Sequence, residues 1–152
     1  VLKVVTGNIL SSQEQYIAHQ CNCVTTYAKG LADIIFKKWS HADCYAIRWE
    51  NDKPGTIEIR GDGQESRFII NMFGQFNPGK PLRDDDPFDG IQARKGYFIE
   101  CMKRVAELKP RSVAMPWQIG CGLAGGDWNF YNKVIDKFAG SFNIVLYKLP
   151  EK

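Results

Sequence analysis

The chain has 152 residues, 44% of them hydrophobic and 24% charged, a balance that fills one core and leaves no room for a second domain. Its net charge of +3, with lysines and arginines scattered and not blocked, excludes a nucleic-acid-coating surface but suits an anionic small molecule. No apolar run reaches the roughly 20 residues that span a bilayer, and five cysteines are an odd number in a chain that needs no staples, so reduced thiols, a monomeric single domain over residues 1–152 and a cytoplasmic location are expected.

Along the chain the apolar period switches repeatedly between two and about 3.6, which predicts an α/β domain. Residues 2–6 are β-branched and predict a strand, as do residues 16–22, with Ile17, His19 and Cys21 on one face and Ala18, Gln20 and Asn22 on the other. Leu31, Ile34, Ile35 and Trp39 fall on one helical stripe after Gly30. Residues 56–60 alternate like an exposed strand, residues 67–73 predict a more buried one, and Gly61-Asp62-Gly63 between them predicts a hairpin turn. The Pro-, Gly- and Asp-rich residues 74–89 read either as a lid or as a plain surface loop. A long helix over residues 91–108 is expected to bury Ile91, Phe98, Met102 and Val105, and Pro110 ends it. Residues 112–116 predict a strand, Trp128, Tyr131, Val134, Ile135 and Phe138 the stripe of a helix stopped at Gly140, and residues 143–149 a closing strand.

The most informative stretch joins the last two of these units: Pro116-Trp117-Gln118-Ile119-Gly120-Cys121-Gly122-Leu123-Ala124-Gly125-Gly126-Asp127-Trp128. Glycines let backbone N–H groups approach an anion with no Cβ in the way, and the helix that follows aims its unpaired amides at the same point, so the stretch predicts a diphosphate site. Gly120-x-Gly122-x-x-Gly125 matches the dinucleotide fingerprint but fails on position. That fold needs an acidic ribose ligand about 20 residues further on and more parallel strands beyond it, whereas the corresponding place is Ile144-Val145-Leu146. Gly74-Gln75-Phe76-Asn77-Pro78-Gly79-Lys80-Pro81 is spaced like a triphosphate P-loop but carries proline where a metal-binding hydroxyl is required.

Three segments thus lie at strand ends: Thr6-Gly7-Asn8-Ile9, residues 22–32 and the glycine loop. Their order resembles that of a macrodomain, the ADP-ribose-binding fold, over residues 3–149, and is similar to the branch with ADP-ribose 1″-phosphate phosphatases and terminal ADP-ribose hydrolases. The resemblance rests on Gly-Asn-Ile after the first strand, Asn-Cys before a Gly-Leu-Ala helix start, and Ile-Gly-Cys-Gly-Leu before a Trp-led helix. It implies a three-layer α/β/α fold with a mixed, largely parallel sheet. It also implies that Gly7, Asn8 and the Ile9 backbone meet adenine, with Asn8 where many relatives carry Asp, and that Tyr147 stacks on or borders the base. Asn22 would hydrogen-bond the distal ribose. Lys29, Gly30, Leu31 and Ala32 would wrap one side of the diphosphate, and Ile119, Gly120, Cys121, Gly122 and Leu123 the other.

The lysine and aspartate of the related glutamate-linked ADP-ribose hydrolases correspond to Met72 and Ala124, which argues against that chemistry. Hydrolysis of ADP-ribose 1″-phosphate to ADP-ribose and phosphate is therefore the expectation, without metal or cofactor, with Asp127 orienting or deprotonating water and His19 assisting. A non-catalytic reader of ADP-ribose, and a hydrolase acting on ADP-ribosylated protein or nucleic acid, are the alternatives. Each site residue also has a plainer reading: Asp127 as a helix N-cap, His19 as a hydrogen-bonded core histidine, Asn22 as a turn cap, Tyr147 as core and Cys121 as packing. His19, Cys21 and Cys23 share a strand parity but diverge too far along one strand for zinc, and Asp84-Asp85-Asp86 reads as a solvated turn.

Overall fold

Strand β1 (Leu2–Thr6), β2 (Tyr16–Cys21), β3 (Ile57–Arg60), β4 (Ile69–Phe73), β5 (Ser112–Pro116) and β6 (Asn143–Lys148) form one sheet in the order β1-β6-β5-β2-β4-β3. Every neighbouring pair is parallel except β3 with β4. Helices α1 (Gly30–Lys38), α2 (Ile91–Glu107) and α3 (Trp128–Phe138) are the long connections that parallel strands require. The computed structural model describes residues 1–50 and 52–150.

Successive side chains of β2 point to opposite faces and so feed two cores. Tyr16 and Ala18 join Met72, Phe98, Met102, Tyr131 and Ile135 beneath α2 and α3, whereas Ile17 and Cys21 join Ile35, Phe36, Ala42 and Tyr45 on the side of α1. Phe98 and Tyr131 stack with ring centroids 4.6 Å apart, which locks α2 to α3. The three-layer α/β/α architecture is the one the sequence leads to.

Three faces differ from the sequence reading. In α1 the buried positions are Ala32, Ile35 and Phe36, and Ile34 is exposed, because Phe36 sets its ring edge-on between His19 and Tyr45 and rotates the inner face towards itself. In α2 Ile91 is exposed, and Arg94 begins the buried stripe that continues through Phe98, Cys101, Met102 and Val105. On β3, expected to be exposed, Glu58 and Arg60 are the buried residues, covered by the segment before it: Arg60 donates to the carbonyls of Asp43 (3.1 Å) and Ile47 (2.6 Å). The β3–β4 connection is also longer than a tight hairpin, with the Asp62 carboxylate accepting from the amides of Gln64 (2.8 Å) and Ser66 (3.0 Å).

Residues 74–89 have no regular structure but are tied down. Asp89 is buried and accepts from the amides of Phe76 (2.7 Å) and Asn77 (3.0 Å), while Arg94 bridges its carboxylate (2.9 Å) to the carbonyl oxygens of Gly79 (2.6 Å) and Asn77 (3.2 Å). Burial works against a charge on Asp89, but the guanidinium and the two amides outweigh it and hold the carboxyl below its ordinary range. Arg94→Met should leave that carboxylate buried and unpaired at a cost of about 3–5 kcal/mol. Adding Asp89→Leu should recover part of the loss, and urea denaturation of the single and double variants measures both.

Candidate functional site

The parallel strands β2 and β5 run side by side, with Tyr16 opposite Val113 and Ile17 opposite Ala114, so the loops that follow them leave the sheet at one edge. They enclose a cleft of about 820 Å³. One wall is Asn22, Lys29, Gly30, Leu31 and Ala32; the other is Ile119, Gly120, Gly122, Leu123 and Ala124; His19 and Gln20 lie between, and Gln75, Pro78 and Gly79 close a third side.

Both walls present backbone amides. The first-turn N–H groups of α1 have no intrahelical acceptor, and Lys29 at the N-cap supplies no side-chain bond. In the glycine loop the amides of Ile119, Cys121, Gly125 and Gly126 are used internally, on the carbonyl oxygens of Pro116, Gln118, Gly122 and Gly120. Those of Gly120, Gly122, Leu123 and Ala124 donate to no acceptor among the described residues. Gly120 sits at φ +76, and a Cβ there would lie 2.5 Å from the Tyr131 ring. Gln118 is held at φ 61, a left-handed conformation uncommon for a residue with a side chain, and it also lines the cleft.

The structure separates the other expected site residues from this cleft. Asn8 caps the short turn Ile9–Ser11 by accepting from the Leu10 amide (3.0 Å), Ile9 is buried against the α1-side core, and the Gly7 amide donates to the Lys148 carbonyl oxygen (2.9 Å). The Tyr147 hydroxyl donates to the Glu14 carboxylate, and burial with that neighbour pushes its pKa up to about 12. These residues form a ledge beyond Trp117, which lines the cleft and whose amide donates to the Tyr147 carbonyl oxygen (2.9 Å). Cys121 is half-buried, with its thiol on the Ile119 carbonyl oxygen (3.4 Å). Asp127 lies outside the cleft as the N-cap of α3, accepting from the Asn129 amide (3.0 Å). Met72 is fully buried beneath α2 and α3 and so does not reach the cleft, and Cys23 turns its thiol to the Gln75 carbonyl oxygen (3.5 Å).

No protein-family model matches the chain. An uncharacterized 17.5 kDa protein from the tk-vs intergenic region of Enterobacteria phage T4 is 24% identical over 160 residues, covering 96% of this chain and 95% of that one. The macrodomain of Mycobacterium tuberculosis DarG is similar with a TM-score of 0.71 and 20% identity over 99% of both chains. The fold is that of a macrodomain. Thermosipho africanus DarTG, solved in complex with ADP-ribose, is similar at a TM-score of 0.66 and 15% identity, over 97% of this chain and 42% of that longer one.

In this macrodomain fold no carboxylate among the described residues lines the cleft. The acids are behind it. His19, 1% exposed, holds Nε2 2.6 Å from the Asn71 side-chain oxygen, and the Asn71 amide nitrogen donates to the Ala42 carbonyl oxygen (2.9 Å) and to Glu58 (3.2 Å). That arrangement fixes Asn71, places the imidazole proton on Nε2 and leaves Nδ1 as an acceptor. Burial lowers the His19 pKa to about 4, against the Asn71 bond that raises it. Burial, with the neighbouring Asp52 carboxyl, lifts Glu58 to about 7 against the pull of Arg60, whose Nε lies 2.8 Å away.

The two shifts oppose each other in stability. Glu58, raised from 4.5, contributes stability that is complete below pH 4.5 and lost as pH climbs through about 7; His19, lowered from 6.5, contributes stability that is complete above pH 6.5 and lost as pH falls through about 4. The wild-type protein should therefore show a nearly flat stability between pH 4.5 and 6.5. In urea titrations across that window Glu58→Gln should become more stable with rising pH, and His19→Gln less stable. Parallel curves for all three proteins would contradict the assignment.

Proposed function

We propose that the cleft binds the ADP-ribosyl group, free or as a derivative, with the diphosphate between the two walls of amides. The unpaired N–H groups of the α1 start and of Gly120, Gly122, Leu123 and Ala124, residues that line the cleft on two sides, carry this reading, because free backbone donors on both walls suit a doubly charged bridging anion. The cleft volume suits a small-molecule ligand, and the ledge of Gly7, Asn8, Ile9 and Tyr147 beyond Trp117 provides the place for the adenine. A mutant of the Oceanobacillus iheyensis macrodomain, similar at a TM-score of 0.67 and 18% identity over 99% of this chain and 86% of that one, was solved with ADPR, which supports the same ligand.

Hydrolysis of ADP-ribose 1″-phosphate is the finer reading, and it rests on His19. His19 lines the cleft, and with Nε2 held by Asn71 its Nδ1 is the ring nitrogen left to accept the proton of an attacking water, whereas no carboxylate among the described residues lines the cleft to do so. Asp127 is then the helix cap, worth about 1 kcal/mol. Buried Met72 and apolar Ala124 offer no nucleophile for a covalent lysine route to ADP-ribosylated proteins or nucleic acids.

A phosphorus NMR time course with ADP-ribose 1″-phosphate tests both levels. Shifted diphosphate signals with growing inorganic phosphate, the latter abolished by His19→Gln, are expected for the phosphatase; shifted signals without phosphate leave a reader, and unchanged signals overturn the ligand itself. Gly120→Ala should weaken ADP-ribose binding by about tenfold or more, as it disturbs the loop through Tyr131. Gly122→Ala should fold with unchanged stability, since a Cβ there has nothing within 4 Å, and calorimetry with thermal melts separates the two.

A further inference from the structure

Asn22 is 7% exposed and lines the cleft, yet nearly all of its hydrogen-bonding capacity is taken up by the protein itself. Its side-chain oxygen accepts from the amides of Val24 (3.0 Å) and Thr25 (3.0 Å), the Thr25 hydroxyl (3.1 Å) and Arg48 (3.4 Å). Its backbone N–H donates to the Tyr45 hydroxyl (2.9 Å), and its carbonyl oxygen accepts from Arg48 (2.8 Å). Two backbone donors on one oxygen settle which end of the amide is which. Nδ2 is left as the only polar atom of Asn22 without a partner among the described residues.

Arg48 is the residue that closes this arrangement. It does not line the cleft. One guanidinium nitrogen holds the Asn22 carbonyl oxygen, the other holds the Thr25 carbonyl oxygen (2.8 Å) and reaches the Asn22 side chain, and the guanidinium carbon lies 4.7 Å from the centroid of the same Tyr45 ring that receives the Asn22 amide. Asp52 faces it from behind at 3.6 Å. A planar fork with several donors can span two carbonyl oxygens in this way, and a lysine ammonium cannot.

We infer that Arg48 is a positioning residue that, by holding the Asn22 and Thr25 carbonyl oxygens, keeps in place the turn whose amides lock Asn22 as a donor-only group, so that the part of the ligand opposite Asn22 is an oxygen acceptor. The ligand rests on the ADP-ribosyl reading above; the positioning does not. Saturation of the side-chain oxygen means that a ligand hydroxyl at this place must use a lone pair towards Nδ2 and send its own proton elsewhere, while an anionic or carbonyl oxygen meets Nδ2 with no such demand.

The test uses nitrogen-labelled wild type, Arg48→Gln, Asn22→Ala and the double variant, with Arg48→Lys as a second probe that keeps the charge beside Asp52. In the ligand-free wild type the Asn22 side-chain NH₂ pair should lie away from the free-amide positions, and its signals should shift to those positions in Arg48→Gln and part of the way in Arg48→Lys. On titration with ADP-ribose, Arg48→Gln and Asn22→Ala should each weaken binding by about tenfold, and the double variant should be no weaker than Asn22→Ala, the signature of two residues acting as one unit. Wild-type affinity in Arg48→Gln, or losses that multiply in the double variant, would overturn the inference. If the wild type does not bind ADP-ribose, the ligand assignment fails on its own, and the ligand-free signal decides: an unmoved Asn22 pair in both Arg48 variants overturns the positioning role, and a moved pair upholds it.

Discussion

Everything at the site depends on β2 and β5 being parallel neighbours. Their shared direction brings the two following loops to one edge, and each loop reaches that edge with amides that the sheet no longer pairs and the next helix has not begun to use. The polar character of the cleft is therefore set by chain geometry more than by charged side chains: among the described residues one lysine lines it and no carboxylate does. A site made of N–H groups attracts an anion without the desolvation cost that a cluster of buried lysines would carry.

The loops that line the cleft were legible in the sequence, because their requirement is a conformation that only certain residues allow. Gly120, at φ +76 with Tyr131 behind it, is a glycine for that reason, and the loop around it could be read from spacing alone. Gly30 opens α1 at φ +61 where the second wall begins. Less legible were the residues whose role is set by tertiary neighbours. Trp117 packs against the core and also lines the cleft, and Gln75 belongs to a loop whose conformation depends on Arg94, a helix residue with no local signal of burial. Asp127 illustrates the limit from the other side. Its place before a helix fits a cap and a catalyst equally well in one dimension, and only the fold puts it outside the cleft.

Polar residues are distributed with a consistent logic. Carboxylates and guanidinium groups are sunk behind the cleft wall, where Glu58, Asp52, Arg60 and Arg48 brace the segment that carries Tyr45, and neutral amides stand between them and the ligand space. Asn71 on β4 and Asn22 just after β2 play the same part: each takes a fixed orientation from charged or backbone partners and leaves a defined acceptor or donor for a neighbour. An amide suits that position because it transmits orientation without itself changing charge.

The order of the sheet has a kinetic consequence. β1 touches only β6 in the sheet, with Leu2 opposite Ile144 and Thr6 opposite Lys148, and β6 is also the strand that joins β1 to β5. β1, the first strand of this sheet in chain order, thus pairs only with the last, and the sheet cannot close on that side until β6 has folded in between β1 and β5. Closing so long a loop is entropically slow, and until it closes the exposed edge of β5 is a surface on which another nascent strand can pair instead.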